Sequence, residues 1–329
     1  MKKIIFSIIT ACALLCSCEK VIELDDDYLE PIVVANALPC TDSLIFVNIT
    51  YSRFFLDNRE FQPVANATVT IDVNGTALSS TQRDGANYLF DYSVVAGDSL
   101  TLHVAIPGHD EITAGTRAVP LPNMTTPLAE IDTLMPISMG DIIFTLTDDA
   151  SRSDYYYIYV LERDSGTQWN QWENHWDTVD TVRHAYFTCL NREITAPEVN
   201  VSEGMMDYYT SLMFSDSLIN GQAYDLKVSL PMFRDTAEHP MLKEYTLVVE
   251  ALGPEAWRYR RDVAASQGAD SYFAEPRRIY SNLSSGLGIF AAIARRQYDL
   301  IFTYKTQEDD SLRRICNPTL LNIRICNPR

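Results

Sequence analysis

The sequence predicts an all-β protein that contains two β-sandwiches, and three observations lead to this expectation. Apolar residues alternate with polar ones at a period of two along most of the chain, as in strands with one buried face. Turn signals separate these short segments, which is typical of sandwiches. The 329 residues, 47% of them hydrophobic, are enough to form two cored domains. We therefore expect a smaller sandwich followed by a larger one with a single prominent helix.

Residues 1–17 have the layout of a lipoprotein signal peptide. Two lysines precede an apolar run from Ile4 to Leu15 that is too short to span a bilayer. Leu15-Cys16-Ser17-Cys18 then fits the bacterial lipobox, which predicts cleavage before Cys18 and acylation of its thiol. Cys18 is preferred to Cys16, because Leu15 occupies the position before Cys16 where a small residue is needed. No later stretch reaches 18 apolar residues, so lipid is the predicted anchor.

An acidic tether is predicted over residues 18–30. Its carboxylates are Glu19, Glu23, Asp25, Asp26, Asp27 and Glu30. Loss of the signal removes two lysines, which leaves 24 basic against 44 acidic residues and a net charge of −20. This charge argues against nucleic acid as a partner, because phosphate binding depends on Lys and Arg. The tether is expected to be a solvated linker, and it also resembles export signals that send Bacteroidetes lipoproteins to the outer face of the outer membrane.

The first sandwich is expected over residues 31–119. Its alternating segments include Ile45–Tyr51, Val69–Val73 and Leu100–Ile106. Asn74-Gly75 predicts a tight hairpin turn, since both residues tolerate positive φ. With the later Gly85–Tyr88 and Gly97–Leu102 segments, the pattern is similar to a small immunoglobulin-like (Ig-like) or transthyretin-like module.

A proline-rich linker at residues 120–127 separates this module from a larger sandwich, expected over residues 128–312. The alternating segments of the larger sandwich are Ile142–Leu146, Tyr155–Leu161, Tyr224–Leu230, Tyr245–Val249 and Tyr298–Tyr304. A helix is predicted near 254–267, because Pro254 stands at a first helical position and Gly268 follows the run. Residues 313–329 form a cysteine-containing tail.

Four cysteines remain in the mature chain besides the acylated one, and an exported protein meets an oxidising compartment. They are Cys40, Cys189, Cys316 and Cys326. Three pairings are open to them. Cys316 and Cys326 lie in a repeated Arg-Ile-Cys-Asn-Pro unit, so a hairpin closed by this pair is one option. No Cys-x-x-Cys spacing occurs among them, which argues against a thiolate zinc site.

No arrangement of residues points to catalysis, a cofactor or a metal. Gly97-Asp98-Ser99-Leu100 resembles an esterase signature, but Leu100 opens a strand and the required Asp-x-x-His is missing. Gly-x-Ser-x-Gly, His-Glu-x-x-His and P-loop patterns are absent. The five histidines show no metal-ligand spacing. We expect a protein that is not an enzyme and that holds neither cofactor nor metal.

The most informative segment is Trp169–Asp177, which places three of the four tryptophans in a polar stretch between strands. If the segment is helical, Trp169, Trp172 and Trp176 share one face; if it is a hairpin tip, they cluster at one end of the sandwich. Either arrangement offers a stacking platform for a glycan, a peptide or a partner protein. The alternative is that the indoles only cap the core.

Asp followed by Ser or Thr and a small or apolar residue recurs along the chain. This tripeptide resembles the O-glycosylation acceptor of exported Bacteroidetes proteins, and glycans there would add bulk at exposed loops. The predicted acceptors are Ser43, Thr133, Thr178, Thr181, Ser217, Thr236 and Ser311. Asp98-Ser99 also matches, but we expect Asp98 to be shielded.

Nearly all of the mature chain resembles a family of Bacteroidetes lipoproteins, the domain-of-unknown-function family 4249. The likeness rests on the lipobox, the Ig-like module, Phe214–Tyr224, Trp257-x-Tyr259 and, above all, Tyr280–Ala292. The C-terminal tail departs from the family pattern of paired cysteines before a glycine-rich stretch, so no disulfide is carried over. The resemblance implies an outer-membrane lipoprotein, often encoded beside TonB-dependent transporters, and it implies no catalytic residues.

These observations favour a non-enzymatic, lipid-anchored protein of the outer membrane, displayed on the cell surface. We expect it to assist a TonB-dependent transporter by binding a ligand or bracing the receptor. One alternative is a structural or adhesive envelope lipoprotein without a small-molecule ligand. A third, less favoured interpretation is a hydrolase whose carboxylates come from separate loops.

Overall fold

The computed structural model describes residues 30–304 apart from 55–56, 133–137, 171, 196–199, 201–207, 233–241 and 268–277. The described part is mostly β-strand, which confirms the predicted all-β class. Among these residues, no helix is long and apolar enough to cross a bilayer.

The strands that precede the proline-rich linker are β1 (Val33–Ala37), β2 (Leu44–Tyr51), β3 (Thr68–Val73), β4 (Thr76–Ser79), β5 (Gln82–Asp84), β6 (Asn87–Ser93), β7 (Ser99–Ala105) and β8 (Ile112–Arg117). Those that follow it are β9 (Leu128–Asp132), β10 (Ser138–Thr147), β11 (Tyr155–Asn170), β12 (His175–His184), β13 (Thr188–Cys189), β14 (Leu212–Ser215), β15 (Ala223–Met232), β16 (Leu242–Leu252), β17 (Leu287–Phe290), β18 (Ile293–Asp299) and β19 (Thr303–Tyr304). The α-helix, α1, is Pro254–Gln267, and it begins at the proline that predicts it.

The first sandwich packs two sheets on one core. Sheet I has the strand order β17-β1-β2-β6-β5, and sheet II the order β4-β3-β7-β8. Alternate residues of both sheets point inward, so that Ile45, Ile71 and Leu102 are fully buried in a shared cluster. The predicted tight turn joins β3 to β4, with φ of 51° at Asn74 and 84° at Gly75.

The larger sandwich packs the other two described sheets. Sheet III has the order β13-β15-β10-β9-β19, and sheet IV the order β12-β11-β16-β18, with β14 also paired to β11. Their inner faces share a core that includes Phe144, Ile158, Phe187 and Leu247. Sheet IV carries the features described below, because its outer face and both of its edge strands reach the surface.

Helix α1 covers part of the outer face of sheet IV. Ala256 is fully buried against Leu252 and Ile293, and the Trp257 ring stacks on Tyr155 with centroids 4.9 Å apart. The helix therefore provides a second, smaller core on the side of the sheet that faces away from the main one.

The segment Tyr280–Ala292, the most specific part of the family resemblance, joins the two sandwiches. Strand β17 pairs in parallel with β1, and Phe290 enters the first core. Asn282 Nδ2 donates to the Phe290 carbonyl at 2.7 Å, and the Phe290 N–H donates back to Asn282 Oδ1 at 3.0 Å. Gly288 has a φ of 120°, and a Cβ on it would collide with the Ala35 carbonyl oxygen. The sequence placed this segment in the larger domain, whereas its strand completes sheet I of the first sandwich.

Candidate functional site

Strands β11 and β12 form a hairpin that extends beyond the rest of sheet IV. Strand β16 pairs with β11 from Tyr155 to Ser165, whereas β12 pairs with it from Leu161 to Asn170. Within the described residues, positions 166–170 therefore pair with β12 alone. No residue of β12 is buried. The hairpin thus ends in a two-stranded arm, which we call the hairpin arm (residues 166–179).

Asparagines form the tip of the hairpin arm. The Asn170 side-chain oxygen accepts hydrogen bonds from the backbone N–H groups of Trp172 and Glu173, each at 3.1 Å. Asn174 adopts a φ of 56°, and its N–H donates to the Asn170 carbonyl at 2.8 Å. Asn tolerates this left-handed conformation, and its side chain can accept hydrogen bonds from backbone N–H groups of the same turn. The two asparagines therefore favour reversal of the chain here.

The structure places the predicted tryptophans at this tip. Trp172 lies in the turn with 88% of its surface exposed, and Trp176 is 45% exposed. Trp169 lies opposite Trp176 in the strand register. The backbone therefore forms a hairpin tip, as one of the two alternatives predicts, and the helical alternative is wrong. A side chain as exposed as Trp172 does not cap a core.

Polar side chains are concentrated at the same tip. His175 lies between two carboxylates, with Nε2 2.5 Å from Asp177 Oδ1 and Nδ1 3.7 Å from Glu173 Oε2. The Asn170 amide donates to Asp177 at 2.9 Å, and this bond, followed by the contact with His175, lowers the pKa of Asp177. Flat apolar rings beside carboxylates and amides can stack on a ligand while accepting hydrogen bonds from its hydroxyl or amino groups.

Four charged residues occupy the base of the hairpin. Glu162 and Asp164 continue the inward face of β11 beyond its apolar residues, and both are buried. Arg183 Nη2 lies 2.7 Å from Glu162 and 2.9 Å from Asp164, while Lys243 Nζ lies 2.5 Å and 3.2 Å from them. Burial alone would raise the pKa of Glu162, but hydrogen bonds from Lys243 and Arg183 outweigh it, so the pKa is lowered.

A cavity of about 450 Å³ opens beside Glu162, Arg183 and Lys243. Its apolar wall is formed by Ala185, Tyr186, Leu230, Pro231 and Tyr245. Asp164 Oδ1 is the one described buried side-chain polar atom without a hydrogen bond, because the ammonium of Lys243 is near it but poorly aligned. Glu162 and Asp164 are one pair of neighbouring buried carboxylates, the arrangement that a hydrolase would need. Each is ion-paired, however, and Glu162 with its lowered pKa carries no proton to donate at neutral pH.

Sequence reasoning did not single out Glu250, although it is the most deeply buried charge described. Its carboxylate accepts hydrogen bonds from Arg260 at 2.6 Å, from Arg295 at 2.7 Å and from the Tyr159 hydroxyl at 3.2 Å. These partners come from α1, β18 and β11, so the group fastens the helix to sheet IV. The only signal in the sequence is a glutamate inside the apolar run Leu247–Leu252.

Other predicted sites are described only in part. Cys18, Cys316 and Cys326 lie outside the described residues, as do the acceptors Thr133, Thr236 and Ser311. Ser43, Thr178, Thr181 and Ser217 are exposed. Cys40 and Cys189 are both free, so a Cys40–Cys189 disulfide is not formed. In the described part of the chain, no three His, Cys, Asp or Glu side chains converge as metal ligands would.

Asp98 is shielded, as expected. Its carboxylate accepts hydrogen bonds from Asn74 Nδ2 and Tyr92 Oη, both at 2.8 Å, and from the Val95 N–H at 2.9 Å. The Gly-Asp-Ser-Leu segment is thus part of a turn network in the first sandwich.

No curated protein matches the chain significantly. A family match, in contrast, covers residues 19–299, from the predicted tether to the end of β18. It includes the first sandwich, all of the larger sandwich except β19, α1 and the hairpin arm. The chain therefore belongs to the family described as "Domain of unknown function (DUF4249)".

Proposed function

We propose that this protein is a non-enzymatic outer-membrane lipoprotein, anchored through Cys18 and displayed on the cell surface, that assists a TonB-dependent transporter. It captures a ligand or contacts the receptor through the tip of the hairpin arm. The glycan or peptide class of ligand follows from the stacking and hydrogen-bonding groups at that tip.

One observation carries the proposal: the exposed indole of Trp172 stands at the end of a two-stranded arm. A large aromatic ring held in water has no stabilising role in the fold, whereas tryptophan is among the residues that contribute most to binding energy at interfaces. The network of Asn170 gives the turn a defined shape, so the ring is presented with little loss of entropy on binding.

Affinity purification of the acylated protein from outer membranes tests whether the tip of the hairpin arm contacts the transporter. A triple variant, with Trp169, Trp172 and Trp176 replaced by Ala, should lose the co-purifying transporter. The control Val182→Ala removes an exposed apolar side chain from the same hairpin outside the tip and should retain it. Equal thermal midpoints for the two variants would show that the fold is intact.

Two results would contradict the proposal. If the triple variant still co-purifies with the transporter, the tip is not the contact. If mass analysis of the native protein finds an amino terminus without lipid at Cys18, the membrane location and the transporter partnership both fall. Loss of envelope integrity on deletion, with no transporter bound, would instead favour a structural role.

A further inference from the structure

The outer edge of sheet IV, formed by β18, is only partly covered by the chain itself. At its start, the Ile293 N–H donates to the Pro39 carbonyl at 2.9 Å, and the Thr41 N–H donates to the Ile293 carbonyl at 3.0 Å. This short parallel pairing shows that the main-chain groups of Ile293 point away from β16. Because main-chain direction alternates along a strand, those of Arg295, Gln297 and Asp299 point to the same open side.

The covering segment leaves this edge immediately. Asp42 adopts a φ of 63°, and its N–H donates to the Val94 carbonyl at 2.8 Å, which turns the chain into the first sandwich. Cys40 remains beside Arg295 on this side of the strand. Among the described residues, no backbone group pairs with the outward N–H or C=O of Gln297.

A groove of about 740 Å³ runs along this open edge. The first sandwich supplies an apolar wall of Leu38, Leu44 and Phe46, and Phe46 is 62% exposed. Arg295 and Gln297 line the opposite side. Exposed edges are commonly protected by charged side chains. Here the guanidinium of Arg295 is held by Glu250 at 2.7 Å, so it does not guard the edge.

We propose that the groove between β2 and β18 binds an extended segment of a partner protein by strand addition. The segment would continue the line begun by residues 39–41, pair its backbone with Gln297 and place alternate side chains against Phe46 and Leu44. Strand addition takes its affinity from main-chain hydrogen bonds and its specificity from such side-chain contacts. The proposal is independent of the hairpin arm.

The net charge of the chain favours a segment of another protein over a second copy as the occupant. The chain carries a net charge of −18, so two copies repel each other. An extended segment without this excess of carboxylates does not meet that repulsion.

The test uses the full-length protein and a fluorescent, end-capped octapeptide of alternating Thr and Val, followed by fluorescence anisotropy. A second peptide of the same sequence carries N-methyl groups on two adjacent central residues, which blocks pairing on both of its edges. We expect the first peptide to bind at least about tenfold more tightly than the second, since several main-chain hydrogen bonds are lost.

Two variants locate the site. Gln297→Pro removes the outward N–H and should weaken binding at least about tenfold, while an edge strand tolerates the proline. Phe46→Asp changes only an exposed side chain and should also weaken binding, whereas the control Val182→Asp, on the opposite edge of sheet IV, should not. If Gln297→Pro fails to fold, Phe46→Asp and amide exchange still decide. The Gln297 amide should exchange rapidly in the free protein and slow at least about tenfold with the peptide.

Several results would overturn the proposal. These are equal binding of the two peptides, no binding at about 1 mM, or binding that neither variant weakens. A Gln297 amide already protected in the free full-length protein would show that the chain itself occupies the edge. Ser43 lines the groove and is a predicted glycan acceptor, so a native protein fully glycosylated at Ser43 would have its groove closed and would also refute the proposal.

Discussion

Replacing Glu250 by Gln tests whether its carboxylate fastens α1 to sheet IV. Glu250 is fully buried and neutralises two guanidinium groups, and a glutamine would turn an amide donor toward one of them. Breaking a buried ion pair on one side costs about 3–5 kcal/mol. The Arg260 and Arg295 side chains keep 20% and 36% of their exposure, so water recovers part of this cost. We therefore expect a loss of about 2–3 kcal/mol.

Urea unfolding followed by tryptophan fluorescence measures this loss, because Trp257 packs on the same face of sheet IV. With a slope of about 2–3 kcal/mol per molar urea, the midpoint should fall by about 1 M. The matched control is Asp180→Asn, which breaks the exposed pair with Arg163 and should leave the midpoint almost unchanged, because water screens this pair. If Glu250→Gln costs no more than this control, the reasoning about buried charge is wrong. Adding Arg295→Met should recover about 1 kcal/mol by removing a stranded charge.

Gly288→Ala should destabilise the protein by about 3 kcal/mol in the same urea assay, because φ is 120° and the new methyl group would collide with the Ala35 carbonyl oxygen. An unchanged urea midpoint would show that β17 can move away. Burial alone would raise the pKa of Asp98, but its hydrogen bonds prevail and lower it, so its stabilising effect is present above about pH 4 and lost as the pH falls further. The stability difference between wild type and Asp98→Asn should therefore shrink between about pH 5 and pH 2, and a constant difference would contradict this. Burial raises the pKa of Cys189 to about 11, so iodoacetamide should alkylate its thiol slowly at pH 8. The alkylation rate, measured by mass spectrometry, should rise about tenfold per pH unit. A rate like that of free cysteine would show that the thiol is exposed to water.

The local signals in the sequence predicted local structure well. Pro254 opens α1 because a proline at the first turn acts on neighbouring residues only. Asn74-Gly75 likewise predicted the β3–β4 turn. The cluster of tryptophans located the tip of the hairpin arm, because large aromatic rings concentrated in a polar stretch between strands seldom serve to fill a core.

Patterns that depend on distant partners were not predictable. On β11 the alternation favoured the face of Tyr155, Tyr157 and Tyr159, but Tyr156 and Ile158 face the main core while α1 covers part of the tyrosine face. Both faces are apolar because both are covered, and alternation cannot then choose between them. The charged base of the hairpin was also missed, because Lys243 reaches Glu162 from another strand 81 positions away in the chain.

The strand predicted over Tyr298–Tyr304 is divided in the structure. Strand β18 ends at Asp299 in sheet IV, and β19 begins at Thr303 in sheet III. Leu300 and Phe302 are buried between the two sheets, so the apolar alternation continues although the backbone changes sheets. The alternation of apolar side chains therefore predicts which residues are buried, but it does not predict which neighbouring strand supplies the backbone hydrogen bonds.

The parallel pairing of β17 with β1 has a consequence for how the molecule is made. The amino-terminal module lacks its edge strand β17, and the Phe290 side chain that completes its core, until the ribosome has made nearly the whole polypeptide. A fragment cut at the proline-rich linker would accordingly leave an unfinished sheet prone to self-association. Contacts so distant in sequence slow folding, so the newly synthesised chain needs its late strand β17 before its first module is complete.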